Sequence, residues 1–399
     1  MIQQVRVTAL VVIALAMAAF AVGSRHAPVD ANPVDDIAPA AERGQRDADI
    51  LFYQARAEQD PEGALDHLQL AVLYLRRAHE QYSPADIKRA EVAARTSLAI
   101  REVHNAEAWH VLALALMGEH RFGDALAATD SMLLMIEPTP SVNALRGEIL
   151  LELGDYASAD SVFVPLDRMM EGPTILARTS RWAMLHGRTE RARQMMLRAR
   201  DAALVQAGTS SEQRAWYALR LADLARADGD TRTARRWFDS AAAINPRDAR
   251  LALAKAQFER EHGSAEAANL AARDALVLSE EPLRFGLASV AAARVGDTAR
   301  AAQLWRAFHA AIDNVPETEW HRDWRLLLLD EGDNVSAMLS AARRELQQRH
   351  DVMAWDQYAW ALHQAGMPAA ADAAMRQSLA LGTQDVRLVR HAEAIGVSP

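Results

Sequence analysis

Cysteine is absent from all 399 residues. That excludes disulfides, thiolate metal ligands and cysteine nucleophiles. Lysine is nearly absent: it occurs only at Lys88 and Lys255, so 42 of the 44 basic residues are arginine. Neither lysine follows a glycine, which excludes a phosphate-binding P-loop. No two of the 18 glycines stand one residue apart, so the GxG core of dinucleotide-binding and kinase loops does not occur. GxSxG and HExxH are also missing. There is no basic surplus either. A net charge of −9 argues against a binder held by nucleic-acid phosphates. Aromatics make up only 6% of the chain, yet apolar residues reach 50%, and alanine alone supplies about a fifth. A chain so rich in Ala, Leu, Arg and Glu, with few β-branched residues, favours helix almost throughout.

The N-terminus has a different texture. Arg6 precedes an uncharged run from Val7 to Val22 that ends in small residues. One positive charge before a short apolar stretch describes a secretory leader, with Ala19-Phe20-Ala21 placed for cleavage. The alternative is an uncleaved anchor: 16 residues of helix span about 24 Å, short of the ~30 Å hydrocarbon core. Residues 1–23 are therefore expected to be a signal peptide or inner-membrane anchor, and the product an exported, periplasmic protein. Membrane contact would then come only through this segment. Residues 24–45 carry Pro28, Pro33 and Pro39 among small and acidic residues, without an apolar period. They read as a flexible spacer. Residues 46–399 form the folded unit, with 46–58 shielding its start and Gln384–Ile395 closing its end.

Within that unit the glycines reveal a repeat. Gly154, Gly187, Gly229, Gly263, Gly296, Gly332 and Gly366 recur about every 34 residues, with one wider gap before Gly229. An apolar helical segment precedes each, and at Gly154, Gly187, Gly229 and Gly296 an alanine follows five residues later. The pattern is helix, tight turn, helix, with a left-handed glycine ending the first helix. Units start near 64, 106, 140, 173, 215, 249, 282, 318 and 352, with extra residues at Gln81–Lys88 and Gln206–Arg214. In the clearest unit Ala218, Leu221, Ala222 and Ala225 form one helix face. Ala234, Phe238 and Ala241 continue it past the turn, and Pro246 ends the unit. Pro165 falls inside an expected second helix and should kink it.

This series of residues resembles the tetratricopeptide repeat, whose signature is W-x2-L-G-x2-Y, A-x3-F and P in a unit of roughly 34 residues. The resemblance implies an all-α, right-handed superhelical solenoid of about nine hairpins, open and elongated, with the first helices lining a concave groove. Trp109, Trp237, Trp305, Trp324 and Trp355 are expected to fill the contacts between hairpins. The resemblance also implies a non-enzymatic scaffold that binds a protein or peptide. Charged residues on the groove slots are eight acidic against seven basic, among them Asp223, Arg226, Arg260 and Arg322. With no field of one sign, nucleic acid is not an expected ligand. Trp216, Trp360 and His363 also fall on groove slots, and aromatic anchors dominate many interfaces. These seven residues are the candidate binding site. No cofactor, metal or catalytic residue is expected. His186/Glu190, His262/Glu266 and His309/Asp313 are lone i,i+4 pairs, whereas a catalytic zinc site usually takes three protein ligands. The alternatives are a helical toroid enzyme with carboxylate chemistry, whose hairpins would be longer than this period allows, and a self-assembling structural array.

Overall fold

The structure is a computed structural model that describes residues 37–169, 172–206, 208–317 and 320–398. The leader or anchor and most of the spacer lie outside the described residues. No described helix is long and apolar enough to cross a membrane. Among the described residues there are twenty helices and no strand.

Eighteen of the helices form nine antiparallel pairs. The first members are α2 (Ala64–Gln81), α4 (Ala106–Gly118), α6 (Pro140–Leu153), α8 (Pro173–Leu185), α10 (Ser211–Ala227), α12 (Ala249–His262), α14 (Leu283–Arg294), α16 (Arg322–Asp330) and α18 (Val352–Gln364). Their partners are α3 (Pro84–Ile100), α5 (Phe122–Leu133), α7 (Tyr156–Met169), α9 (Thr189–Leu204), α11 (Thr231–Ile244), α13 (Ala265–Leu278), α15 (Thr298–Ile312), α17 (Val335–Glu345) and α19 (Pro368–Leu379). α1 (Ile37–Gln59) precedes them and α20 (Val386–Ile395) follows.

The turns follow from local chemistry. Six of the seven periodic glycines are left-handed, and at three of them the next residue caps the second helix. Asp155, Asp230 and Asp297 accept from the backbone N–H groups of Ser158, Thr233 and Arg300. Gly263 departs from the pattern: it is extended (φ −91°, ψ 169°), and Ser264 supplies the cap. The first two pairs reverse without glycine, through left-handed Tyr82 and His120.

The alanine seam is buried as the repeat requires. Ala113, Ala159, Ala192, Ala222, Ala234 and Ala371 are inaccessible to solvent, as are Phe163 and Phe238 four residues after their alanines. The cores of adjacent pairs run from Ile50 in α1 to Ala392 in α20. Each hairpin thus buries its apolar face on its neighbours.

Several boundaries differ from the sequence reading. Residues 37–45 are not spacer but the first turns of α1. Pro39 is tolerated there, Glu42 accepts from the Ser211 N–H at 3.0 Å, and Arg46 is buried against Glu80 and Asp47. The extra residues 81–88 do not form a loop. Ser83 caps α3 and Pro84 opens it, so the insertion lengthens both helices of the first pair. α7 continues through Pro165.

The array is not an open ribbon. Pair three and pair nine meet: the His350 N–H donates to the Leu153 carbonyl at 2.9 Å, and the Val352 N–H donates to the Tyr156 hydroxyl at 2.7 Å. One hairpin further on, the Thr383 hydroxyl donates to the Leu185 carbonyl at 2.5 Å. The superhelix therefore overlaps itself after six hairpins.

Candidate functional site

The first helices turn their non-seam faces toward the axis of the superhelix. Those faces meet across the groove between nearby pairs, so groove slots become interior positions. Arg226 on α10 reaches Glu261 at 3.5 Å, and Arg260 on α12 pairs with Asp330 on α16 at 3.0 Å. The other carboxylate oxygen of Asp330 accepts from the indole of Trp360 at 3.1 Å. That indole is sandwiched: His391 stacks at 4.3 Å and 5° on one side, and His363 lies parallel at 5.1 Å. His391 in turn hydrogen-bonds Asp356 at 2.8 Å, both side chains buried. Four of the seven candidate residues, Arg226, Arg260, Trp360 and His363, thus belong to one chain of contacts. A void of about 10 Å³ beside Arg260, Glu261, Asp330, Arg387 and His391 has room for one water.

Arg322 belongs to a second cluster. It pairs with Glu345 at 2.8 Å and Asp351 at 3.4 Å. Arg325 shares Glu345, while Arg349 joins Asp351 at 2.6 Å to Glu152 at 2.8 Å. Glu152 also pairs with Arg181. Here the two overlapping levels are cross-linked by charge. Asp223 and Trp216 flank Arg220: the carboxylate is 2.8 Å away, and the guanidinium stands 5.9 Å from the indole ring. Burial holds the Arg220 guanidinium below its ordinary pKa despite Asp223, and neighbouring Arg250 and Arg181 push the same way.

Other titratable groups face the overlap. His120 and His321 meet edge to face, 5.2 Å apart, one from each level. Burial lowers both, His120 to about 3. Glu281 is raised to about 7 by burial, against the Trp324 hydrogen bond that favours its ionised form. Most concave carboxylates, by contrast, are matched with guanidinium groups, which favours their charged form.

The three i,i+4 histidine pairs do not form as pairs. His186 lies 3.0 Å from Asp160, His309 lies 2.7 Å from Asp333, and Glu190 binds Arg193 and Gln194 instead. Among the described residues no group of three or more His, Asp or Glu is placed to hold a metal. A cavity of about 310 Å³ opens beside α1, bordered by Glu42, Glu80, Glu212, Arg247 and Glu280.

Sequence periodicity places Glu152, Arg181, Arg226, Arg260, Glu261, Arg322, Asp330, Asp356, Trp360 and His363 on the concave face, but it misses the helical Arg220, Arg325 and His391 as well as Glu345, Arg349 and Asp351. The last three sit at or beyond the end of α17, in the link to α18. The only local signal is the helix cap: Asp351 accepts from the Met353 and Ala354 N–H groups at the start of α18.

No family model matches the chain, and no curated protein matches it. Solved structures do. A monomeric variant of IFIT1 with m7Gppp-AAAA matches with a TM-score of 0.51 at 12% identity, covering 80% of this chain and 71% of that one. The human IFIT1 dimer with m7Gppp-AAAA gives 0.50 at 13% identity, covering 80% and 72%. A tetratricopeptide repeat protein from Parabacteroides merdae gives 0.42 at 15% identity, covering 65% and 98%. At such identities the likeness is one of fold. With the repeated alanines and phenylalanines buried at the hairpin contacts, the chain is an all-α helical-repeat solenoid whose hairpins resemble the tetratricopeptide repeat.

Proposed function

We propose that the chain is a non-enzymatic, exported scaffold whose outer edge docks a protein partner. One observation carries this reading. Large apolar side chains are exposed where the second helices end: Leu134 after α5, Met169 closing α7, Leu204 and Val205 at the end of α9, and Val277 near the end of α13. Leu134, Val205 and Val277 are 89%, 85% and 82% exposed. Single exposed apolar residues are ordinary, but their recurrence at the same place in pairs two, three, four and six makes a row, the form of an interaction surface. The concave face supports the same reading by contrast, since its charges are already paired with one another. Export rests on the apolar segment Val7–Val22.

The test is capture from an extract of exported proteins, using the full chain as bait. Leu134→Glu, Val205→Glu and Val277→Glu combined should leave the fold intact, because all three side chains face solvent, and should remove the captured protein. Retention of the same protein by the triple variant would refute the edge as the docking surface. Binding of a short RNA comparable to that of the captured protein would overturn the choice of a protein partner.

A further inference from the structure

The two levels of the superhelix touch differently from the way successive hairpins touch. Neighbouring hairpins share alanine and phenylalanine. The levels meet at two rungs through backbone, hydroxyl and charge, and besides these through the His120–His321 contact and through Tyr82 and Leu381 packed on the opposite cores. At the first rung, left-handed Gly154 lies so close to the opposite chain that a Cβ on it would stand 2.3 Å from the His350 carbonyl carbon. Around it are the His350 and Val352 hydrogen bonds and the Glu152–Arg349 ion pair, with Arg349 over the Phe122 ring at 4.5 Å. At the second, a Cβ on Gly187 would stand 2.2 Å from the Gly382 oxygen, beside the Thr383 hydroxyl on Leu185. Both glycines are turn residues of consecutive hairpins, and both opposing segments link consecutive helices near the other end of the chain. Gly296 and Gly366 hold equivalent turns with the same left-handed backbone, yet nothing lies within 4 Å of their Cβ positions.

We propose that these two turn-on-turn rungs are a lock that closes the superhelix on itself and covers the charge that bridges its two levels, so that this charge becomes accessible only when the lock opens. The proposal stands whether or not the outer edge binds a partner. These contacts join two already stacked levels and can separate without unstacking any hairpin, the property that marks a locally opening unit. Opening would break the Glu152–Arg349 ion pair that spans the gap, leaving Glu152 with Arg181 and Arg349 with Asp351 on their own levels.

The test compares Gly154→Ala/Gly187→Ala with Gly296→Ala/Gly366→Ala in the full chain. Both pairs carry the same left-handed backbone strain, but only the first places methyl groups in the lock. Small-angle scattering should give the first pair a larger radius of gyration and maximum dimension than wild type, with helical circular dichroism retained, while the second pair keeps wild-type dimensions. Carbodiimide labelling of Glu152 should rise in the first pair alone. Unchanged dimensions and labelling in the first pair overturn the proposal, as does equal expansion in both pairs.

If Gly154→Ala/Gly187→Ala fails to fold, spin labels at Ala157→Cys and Gln348→Cys decide. The chain has no native cysteine, so labelling is confined to the two sites. A short, narrow distance that lengthens and broadens in Tyr156→Phe/Arg349→Gln supports the lock. A long, broad distribution in the otherwise unaltered chain overturns it, and so does a short one that Tyr156→Phe/Arg349→Gln leaves unchanged.

Discussion

Individual side chains show where this fold is rigid and where pH reaches it. Phe163 has no exposed surface, and its ring fills the space where a Cβ on Gly147 would stand 2.7 Å away. It also stacks on Trp182, with ring centres 5.9 Å apart. Phe163→Ala should therefore lower stability by roughly 3–5 kcal/mol, read from urea unfolding. Glu281 tests the electrostatics. Its folded-state pKa of about 7 lies above that of an unfolded glutamate, so the folded form holds a proton that the unfolded form releases. The stability this gives is complete below the unfolded pKa and is lost as pH rises through about 7. Gln cannot ionise and still offers an oxygen to the Trp324 indole. Glu281→Gln should match wild type near pH 5 and exceed it at pH 8 by on the order of 2 kcal/mol. A pH-independent difference in unfolding free energy would remove the buried acid from the account. Of the expected structural tryptophans Trp324 is buried and Trp109, Trp237, Trp305 and Trp355 are half-buried against the cores, while buried Trp182 does not stand out in the sequence. Its donor finds Asp160, 22 residues away, a contact that no local pattern announces.

Among the helices, legibility follows the range of the forces involved. Repeat starts read near 64, 106, 140, 173, 249, 282 and 352 fall within one residue of the helix starts at Ala64, Ala106, Pro140, Pro173, Ala249, Leu283 and Val352. Those positions are set by caps, prolines and an apolar period, all local. The start read near 215 is four residues late, because Ser210 and Gln213 form a capping box that opens α10 at Ser211. Ser210→Ala should lower stability by about 1 kcal/mol in thermal or urea unfolding, and Ser210→Asp should retain most of it. The sequence pattern opens the folded unit nine residues after α1 begins. The first turns of α1 are held by Glu42 on Ser211, 169 residues away, and composition does not encode that contact. The concave residues are legible for the same reason as the seam, since a face is a phase of the helical period. The linker residues Arg349, Asp351 and Thr383 have no phase, and the residues that meet their segments from the other level lie far back in the chain.

The molecule as a whole departs most from the picture of a one-dimensional stack. In an open array each repeat touches only its neighbours, and stability is close to a sum of local terms. Here the overlap of pairs three and nine ties Glu152 to Arg349, two side chains from opposite halves of the chain. The groove residues Arg226, Arg260 and Trp360 find partners on nearby pairs or on α20. The outer ends of the second helices, with Leu134, Val205 and Val277, remain uncovered.

The overlap also has a consequence during synthesis. The chain emerges N-terminus first, and pairs three and four can stack as soon as they are made. Leu153, Gly154 and Leu185 must then wait for His350 and Thr383, so the turns they occupy stay bare until nearly the whole chain has been translated. Contacts of such sequence separation also slow the last step of folding. A ribosome stalled shortly before His350 would present a stacked but unclosed solenoid, its inner charges open to whatever is nearby.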